Sequence, residues 1–300
     1  MTTAMAIKID SREALGAQRW GSNIASPPII YGTAWKNKDT ERLVAAAIRL
    51  GFRAIDTACQ PKHYDEARVG AGVARCLDNG LGAGLSRADL YLQTKFTPPS
   101  GQDPNRMPYD PRAPLAEQVQ QSVAVSLRNL RTDYLDAVLL HSPLATASET
   151  MAAWRVLESL VDSGQIRKPG ISNVYDLEDL RELYDAARIK PAIVQNRFYP
   201  ATGYDAGIRA FCRERAISYQ SFWTLTGNTD LLSNAAITIP ASRLGWSRAQ
   251  VLFRYLTQAG VVPLTGTRSE AHMRHDLAIF EFELSPEERN RIDRLVDGSR

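Results

Sequence analysis

Eight short apolar runs recur along this 300-residue chain, each followed by a stretch of helical periodicity, and this beat restricts the fold more than any other feature. The runs at 28–33, 52–56, 90–95, 135–141, 165–172, 192–195, 217–223 and 261–264 read as strands. Strands that alternate with helices form a parallel sheet with right-handed crossovers. Eight such units in about 250 residues predict a (β/α)8 TIM barrel. The α/β chain therefore reads as one domain over 1–300, with no internal repeat and no linker. Local signals support the helices between the strands. Asp39 is placed to cap a helix that Gly51 ends, and Ser148 to cap one at 151–161. Asp176 starts 177–187, Ser247 starts 248–259, and Pro286 stands in the first turn of 285–296. Two stretches lack periodicity, 97–114 with six prolines and 224–244. The first leaves the third strand, where barrel loops meet ligands, and is expected to be an active-site loop with Met107 and Tyr109 as its ligand contacts.

Three of the runs end in one ionisable residue each: Asp56, Lys95 and His141. Tyr64 follows the first of them closely. A lone charge at the end of a buried strand is expensive, so such groups have partners. Each residue alone has an ordinary explanation: a helix cap, a solvated lysine, a core histidine. Their shared position at strand ends is what points to one polar site at the mouth of a barrel. Later strands place Ser172 and Asn173, Gln195, Trp223, Thr265 and Thr267 at the same level.

Lysine and arginine number 36 against 33 acids, a net charge of +3 without a basic run, which argues against a nucleic-acid partner. No apolar stretch approaches the roughly 20 residues of a membrane helix, and the first residues do not resemble a signal peptide. Three widely spaced cysteines, Cys59, Cys76 and Cys212, fit reduced thiols in the cytoplasm. His272, His275 and Asp276 lie on a predicted surface helix with no further ligand set, so no metal is expected. Gly70-Ala71-Gly72 falls in a helical pattern and lacks the third glycine of a dinucleotide fingerprint.

Gly51-Phe52-Arg53-Ala54-Ile55-Asp56-Thr57-Ala58, Leu139-Leu140-His141-Ser142-Pro143 and Gly170-Ile171-Ser172-Asn173 together resemble the signatures of the aldo-keto reductases, in order and over nearly the whole chain. The segments Thr57–Tyr64 and Gln220–Thr226 resemble a eukaryotic, often fungal, branch. The resemblance implies reduction of an aldehyde or ketone with NADP(H) by a tetrad carried onto Asp56, Tyr64, Lys95 and His141. Tyr64 would give the proton, although His63 is adjacent and the gap from Asp56 is longer than usual in the family. Asp65-Glu66 and Val69-Gly70 follow Tyr64 as they do in the family. A lysine ammonium at about 4 Å would favour phenolate by on the order of 4 kcal/mol, lowering the tyrosine pKa by up to roughly three units. Asp56 would hold Lys95, and His141 would orient the substrate oxygen.

The same resemblance implies cofactor contacts from Thr33, Ser172, Asn173, Gln195, Trp223, Thr265, Gly266, Thr267, Arg268 and Asp276. Trp223 would stack on the nicotinamide, and Arg268 would fork a phosphate at a helix start. The family's frequent Lys-Ser pair is absent from this stretch. The expected partner is a small-molecule carbonyl compound, the expected state a monomer, and the pocket open because the C-terminal loop is short. Two alternatives stay open: a Schiff-base aldolase using Lys95 on the same barrel, and a non-catalytic NADP-binding regulatory subunit.

Overall fold

The computed structural model describes residues 27–78 and 84–298, so the segment read above for a signal peptide lies outside them. Eight parallel strands close in sequence order into a barrel: β1 Ile30–Gly32, β2 Ala54–Asp56, β3 Tyr91–Phe96, β4 Leu135–Leu140, β5 Ile166–Ser172, β6 Ile193–Arg197, β7 Ser218–Phe222 and β8 Val262–Thr265. Closure is made by β1 on β8, with Ile30 opposite Leu264 and Tyr31 opposite Thr265. The expected barrel is therefore present, with strand ends shifted by a few residues.

The surrounding helices are α1 Thr40–Leu50, α2 Glu66–Asp78, α3 Leu115–Leu130, α4 Ala147–Asp162, α5 Leu177–Ala186, α6 Ala206–Glu214, α7 Thr229–Ser233, α8 Ala235–Leu244, α9 Arg248–Gln258, α10 Glu270–Leu277 and α11 Pro286–Val296. Among the described residues, no helix is long and apolar enough to cross a membrane.

Strand alternation decides which residues reach the site. On β3, Tyr91 joins the small cluster inside the barrel, whereas Leu92 and Phe96 join the large cluster between barrel and helices. Gln93 and Lys95 share the inward face with Tyr91, and both reach Asp56 of β2 across the interior. The inner cluster is small, built on Ile30, Ala54, Ala137, Leu139 and Ile193 among others, because Asp56, Gln93, Lys95, Gln195 and Gln220 take other buried positions of the strands. Below, Asp136 of β4 accepts hydrogen bonds from Arg87 at 2.7 Å and from the Leu92 amide at 2.9 Å. These fix the face remote from the site.

Four local expectations are corrected. Stretch 224–244 is largely helical, in α7 and α8, because Asn234 caps the second helix by accepting from the Ala236 amide at 2.9 Å. Thr146, not Ser148, caps α4, in a reciprocal box with Glu149. Asp39 precedes α1 without capping it, since its carboxylate is drawn to Arg268. Tyr109 is buried against Phe96, with ring centroids 5.6 Å apart, and donates to the Thr97 carbonyl at 2.7 Å, so it is no ligand contact. The caps at Asp176 and Ser247 form as expected.

Gly70 and Gly72 are packing residues of α2. A Cβ on Gly70 would stand 2.0 Å from the Asn129 carbonyl oxygen of α3, and one on Gly72 2.7 Å from the Glu41 carbonyl oxygen of α1. Both obstacles are backbone, which cannot swing aside. Gly70→Ala is therefore expected to destabilise the protein by about 1–3 kcal/mol despite the better helix propensity of alanine. The check is a melting temperature several degrees below wild type.

Candidate active site

Burial forces the charged strand ends to meet. Lys95 and Asp56 are 1% and 3% exposed, and the ammonium lies 2.6 and 2.7 Å from the two carboxylate oxygens. Lys95 also donates to the Thr57 carbonyl at 2.9 Å. Tyr64, in the turn before α2, lies over this pair, with its ring centroid 5.6 Å from the Lys95 nitrogen. His141 follows β4, and its ring is 6.1 Å from that of Tyr64. The structure thus brings together all four residues expected of the tetrad.

The electrostatics differ from the expectation. Burial first, and then the Asp56 charge, push the Tyr64 phenol above its ordinary value. The Lys95 ammonium, bidentate on Asp56, does not offset this rise. Burial pulls Lys95 down, and Asp56 opposes this. His141 is held down to about 3 by burial, helped by the positive charges of Lys95 and His63, so it is neutral near neutrality. The phenol is an acid that keeps its proton until a base is made beside it.

Beneath the pair lies a floor of amides. Gln93 donates to Asp56 at 2.7 Å and Gln195 at 3.0 Å. Gln93 and Gln220 exchange hydrogen bonds at 2.8 and 3.0 Å, and Gln195 donates to Gln220 at 2.9 Å. Gln93 and Gln220 were missed in the sequence, although the strand period of two puts Gln93 on the face of Lys95. Thr97 was missed as well, and its hydroxyl lies 2.6 Å from His141 Nδ1.

The residues expected to hold a cofactor fall into three groups, the third of them Gly266, Thr267 and Arg268 in the loop after β8. Ser172, Asn173, Gln195 and Trp223 stand at the mouth. Asn173, in the left-handed region at φ 53°, donates to the His141 carbonyl at 2.8 Å, and Ser172 donates to the Gln195 carbonyl at 2.6 Å. Trp223 is 47% exposed, with the Arg197 guanidinium 4.6 Å from its ring. Thr33, Thr265 and Asp276 instead face protein. The Thr33 hydroxyl donates to the Asp56 carbonyl at 2.9 Å. Thr265 donates to Asp276 at 2.6 Å, and burial raises that carboxyl to about 6.

The loop after β8 is stitched to the loop after β1. Tyr31 donates to the Thr267 carbonyl at 2.8 Å, and Arg268 donates to the Trp35 carbonyl at 2.9 Å and to Asp39. Lys36 donates to the Gly266 carbonyl. It is 4% exposed, and among the described residues no carboxylate pairs with it. Burial, aided by the Arg268 charge, lowers it to about 8. Among the described residues, no group of three or more His, Cys, Asp or Glu could hold a metal ion.

The His141 environment makes a pH prediction. Its folded value lies below the ordinary 6.5, so between about 6.5 and 3 the unfolded chain binds a proton that the native imidazole does not. This stabilisation is complete above the unfolded value and is lost as pH falls, with a slope of up to about 1.4 kcal/mol per pH unit. Denaturant midpoints measured from about pH 7 to about 4 should therefore fall more steeply for wild type than for His141→Gln.

Comparison with known proteins agrees with the barrel fold. The profile of the Aldo/keto reductase family matches residues 15–297. The chain is 32% identical to a glyoxal reductase of Bacillus subtilis over 264 residues, covering 88% of this chain and 86% of that protein. It is 31% identical to an uncharacterised oxidoreductase, YtbE, of the same bacterium, covering 86% and 84%. Both are bacterial and lend nothing to the fungal-branch expectation. Among solved structures, an aldo/keto reductase of Brucella melitensis superposes with a TM-score of 0.73 at 26% identity, covering 90% of this chain and 95% of that one. A silkworm (Bombyx mori) aldo-keto reductase complexed with NADPH shares the fold, with a TM-score of 0.74 at 23% identity and coverage of 92% and 86%. The closed barrel and a profile match over most of its length place this chain in the aldo/keto reductase family of oxidoreductases.

Proposed function

We propose that this chain reduces an aldehyde or a ketone to the alcohol with NADPH, Tyr64 giving the proton. The observation that carries the reading is the meeting of Asp56, Lys95, Tyr64 and His141 at the C-terminal mouth of the barrel. The residues present fit a dinucleotide. Trp35, Tyr175 and Trp223, which follow β1, β5 and β7, are exposed aromatic surfaces suited to a flat heterocycle. Lys36 and Arg268 are two cations at the start of α10, where phosphate binds well.

When bound, a reduced nicotinamide supplies the hydride. Ser172, Asn173 and Gln195 form the polar wall that its carboxamide would meet, and Trp223 offers the stacking face. Gly266, Thr267, Lys36 and Arg268 would hold a phosphate, while Thr33, Thr265 and Asp276 shape the loops behind them. Tyr64, kept protonated, passes its proton to the carbonyl oxygen as negative charge develops there. Lys95, fixed by Asp56, steadies the phenolate left behind, and neutral His141 can donate a hydrogen bond to the same oxygen. The aldolase alternative needs a free neutral amine, but Lys95 is committed to three oxygens. The resemblance to a glyoxal reductase makes small reactive aldehydes the first compounds to assay.

Tyr64→Phe keeps the ring and removes the proton. Turnover of NADPH with an aldehyde panel should fall by about 10²–10⁴-fold while the NADPH dissociation constant stays the same. Activity within about threefold of wild type would exclude Tyr64 as the donor.

Lys36 yields a second expectation. Charge-assisted hydrogen bonds contribute about 1.5–3 kcal/mol, so Lys36→Met should weaken NADPH roughly ten- to a hundredfold by tryptophan fluorescence. In wild type, affinity should decline above about pH 8, where the free lysine loses its proton, and the variant should lack that decline. Parallel titrations with NADH identify which phosphate is held, since only NADPH carries the 2′-phosphate.

A further inference from the structure

The proline-rich loop does something other than line a pocket. Its first residue, Thr97, is 3% exposed and places its hydroxyl 2.6 Å from His141 Nδ1. The rest of the loop grips the backbone of that one residue. Tyr109 donates to the Thr97 carbonyl at 2.7 Å, and Gln102 donates to it at 3.2 Å and to the Cys59 carbonyl at 2.8 Å. Gln60 donates to the Gly101 carbonyl at 2.7 Å, tying the loop to the segment that leads to Tyr64. The His141 amide donates to the Phe96 carbonyl at 2.8 Å, so Thr97 and His141 are held from both sides.

A neutral imidazole carries one ring proton, and the partner of one nitrogen decides which nitrogen has it. We propose that Thr97, braced by Tyr109, donates its hydroxyl proton to His141 Nδ1 and so fixes the proton on Nε2, making His141 a hydrogen-bond donor to the substrate oxygen. Thr97 and Tyr109 are then positioning residues that act through His141. This rests on the carbonyl-reductase reading for its functional consequence, though not for the tautomer itself. The balance of the step is unchanged. The carbonyl carbon gains a hydride from reduced nicotinamide, its oxygen gains the Tyr64 proton, and His141 neither gains nor loses one. A donor at Nε2 holds the oxygen more strongly as it becomes negative, so the effect falls on turnover more than on binding.

The ring nitrogens can be observed directly. In ¹⁵N-labelled full-length protein near pH 7, long-range proton–nitrogen correlation reports the tautomer of each of the four histidines, and His141→Gln identifies the signal. Wild type should show Nδ1 unprotonated and Nε2 protonated. Thr97→Val, which is nearly isosteric, should give mixed tautomers, with kcat about tenfold lower and the NADPH dissociation constant unchanged. Thr97→Ser, which keeps the hydroxyl, should restore both. Tyr109→Phe should shift tautomer and kcat in the same direction, less strongly. A protonated Nδ1 in wild type overturns the proposal, as does a Thr97→Val protein with wild-type tautomer and kcat. If wild type reduces no carbonyl compound, the functional reading fails, while the tautomer assignment is still decided by the spectra.

Discussion

Burial of Lys95 against Asp56 inside a barrel sets the terms for everything around it. Two opposite charges removed from water lose several kcal/mol each, which their attraction offsets only if the remaining lone pairs and protons are also used. Here they are used. Asp56 accepts from Lys95, Gln93 and Gln195, and Lys95 spends its remaining donor capacity on the Thr57 carbonyl. The glutamine floor follows from this need. Apolar side chains in place of Gln93 and Gln195 would leave the carboxylate short of donors. Only a closed barrel brings donors from β3 and β6, and Gln220 of β7 behind them, to the carboxylate on β2.

The ion pair also settles the division of labour above it. Burial, with the Asp56 charge beside it, keeps the proton on the Tyr64 ring. His141 is neutral for the same reason of burial. Its loop context then matters, since an imidazole without charge works only through the direction of one N–H.

Barrel closure is the second constraint. β1 has three residues and meets β8 through two register pairs, so the seam depends on side chains beyond the strands. Tyr31, Lys36 and Arg268 supply these by bonding main-chain carbonyls of the opposite loop. Asp39 serves the seam rather than the helix it precedes, because an arginine within reach is a stronger partner than an amide at a helix start. In the proposed function the two cations that hold the seam, Lys36 and Arg268, would also meet a phosphate.

The repeating order of strand and helix was legible in the chain because hydrophobic periodicity is a local property, and so were the strand-end residues Asp56, Lys95 and His141. Tyr64 was found by the residues that follow it. What the sequence could not show was which groups face one another across the interior. The expected drop in the tyrosine pKa counted the lysine charge but not burial, which only the assembled barrel imposes on Tyr64 and which pushes the phenol up. Tyr109 read as a ligand contact because an aromatic in an irregular loop has no periodic signal, whereas the fold buries it against Phe96. Gln93, Thr97 and Lys36 carried no motif, and Gln220 only opened a segment resembling the family; their importance comes from partners 37 to 230 residues away. Order along the chain fixes the architecture because local propensity and period add up over each element. The chemistry of the site was decided only when closure brought distant strand ends within hydrogen-bonding distance.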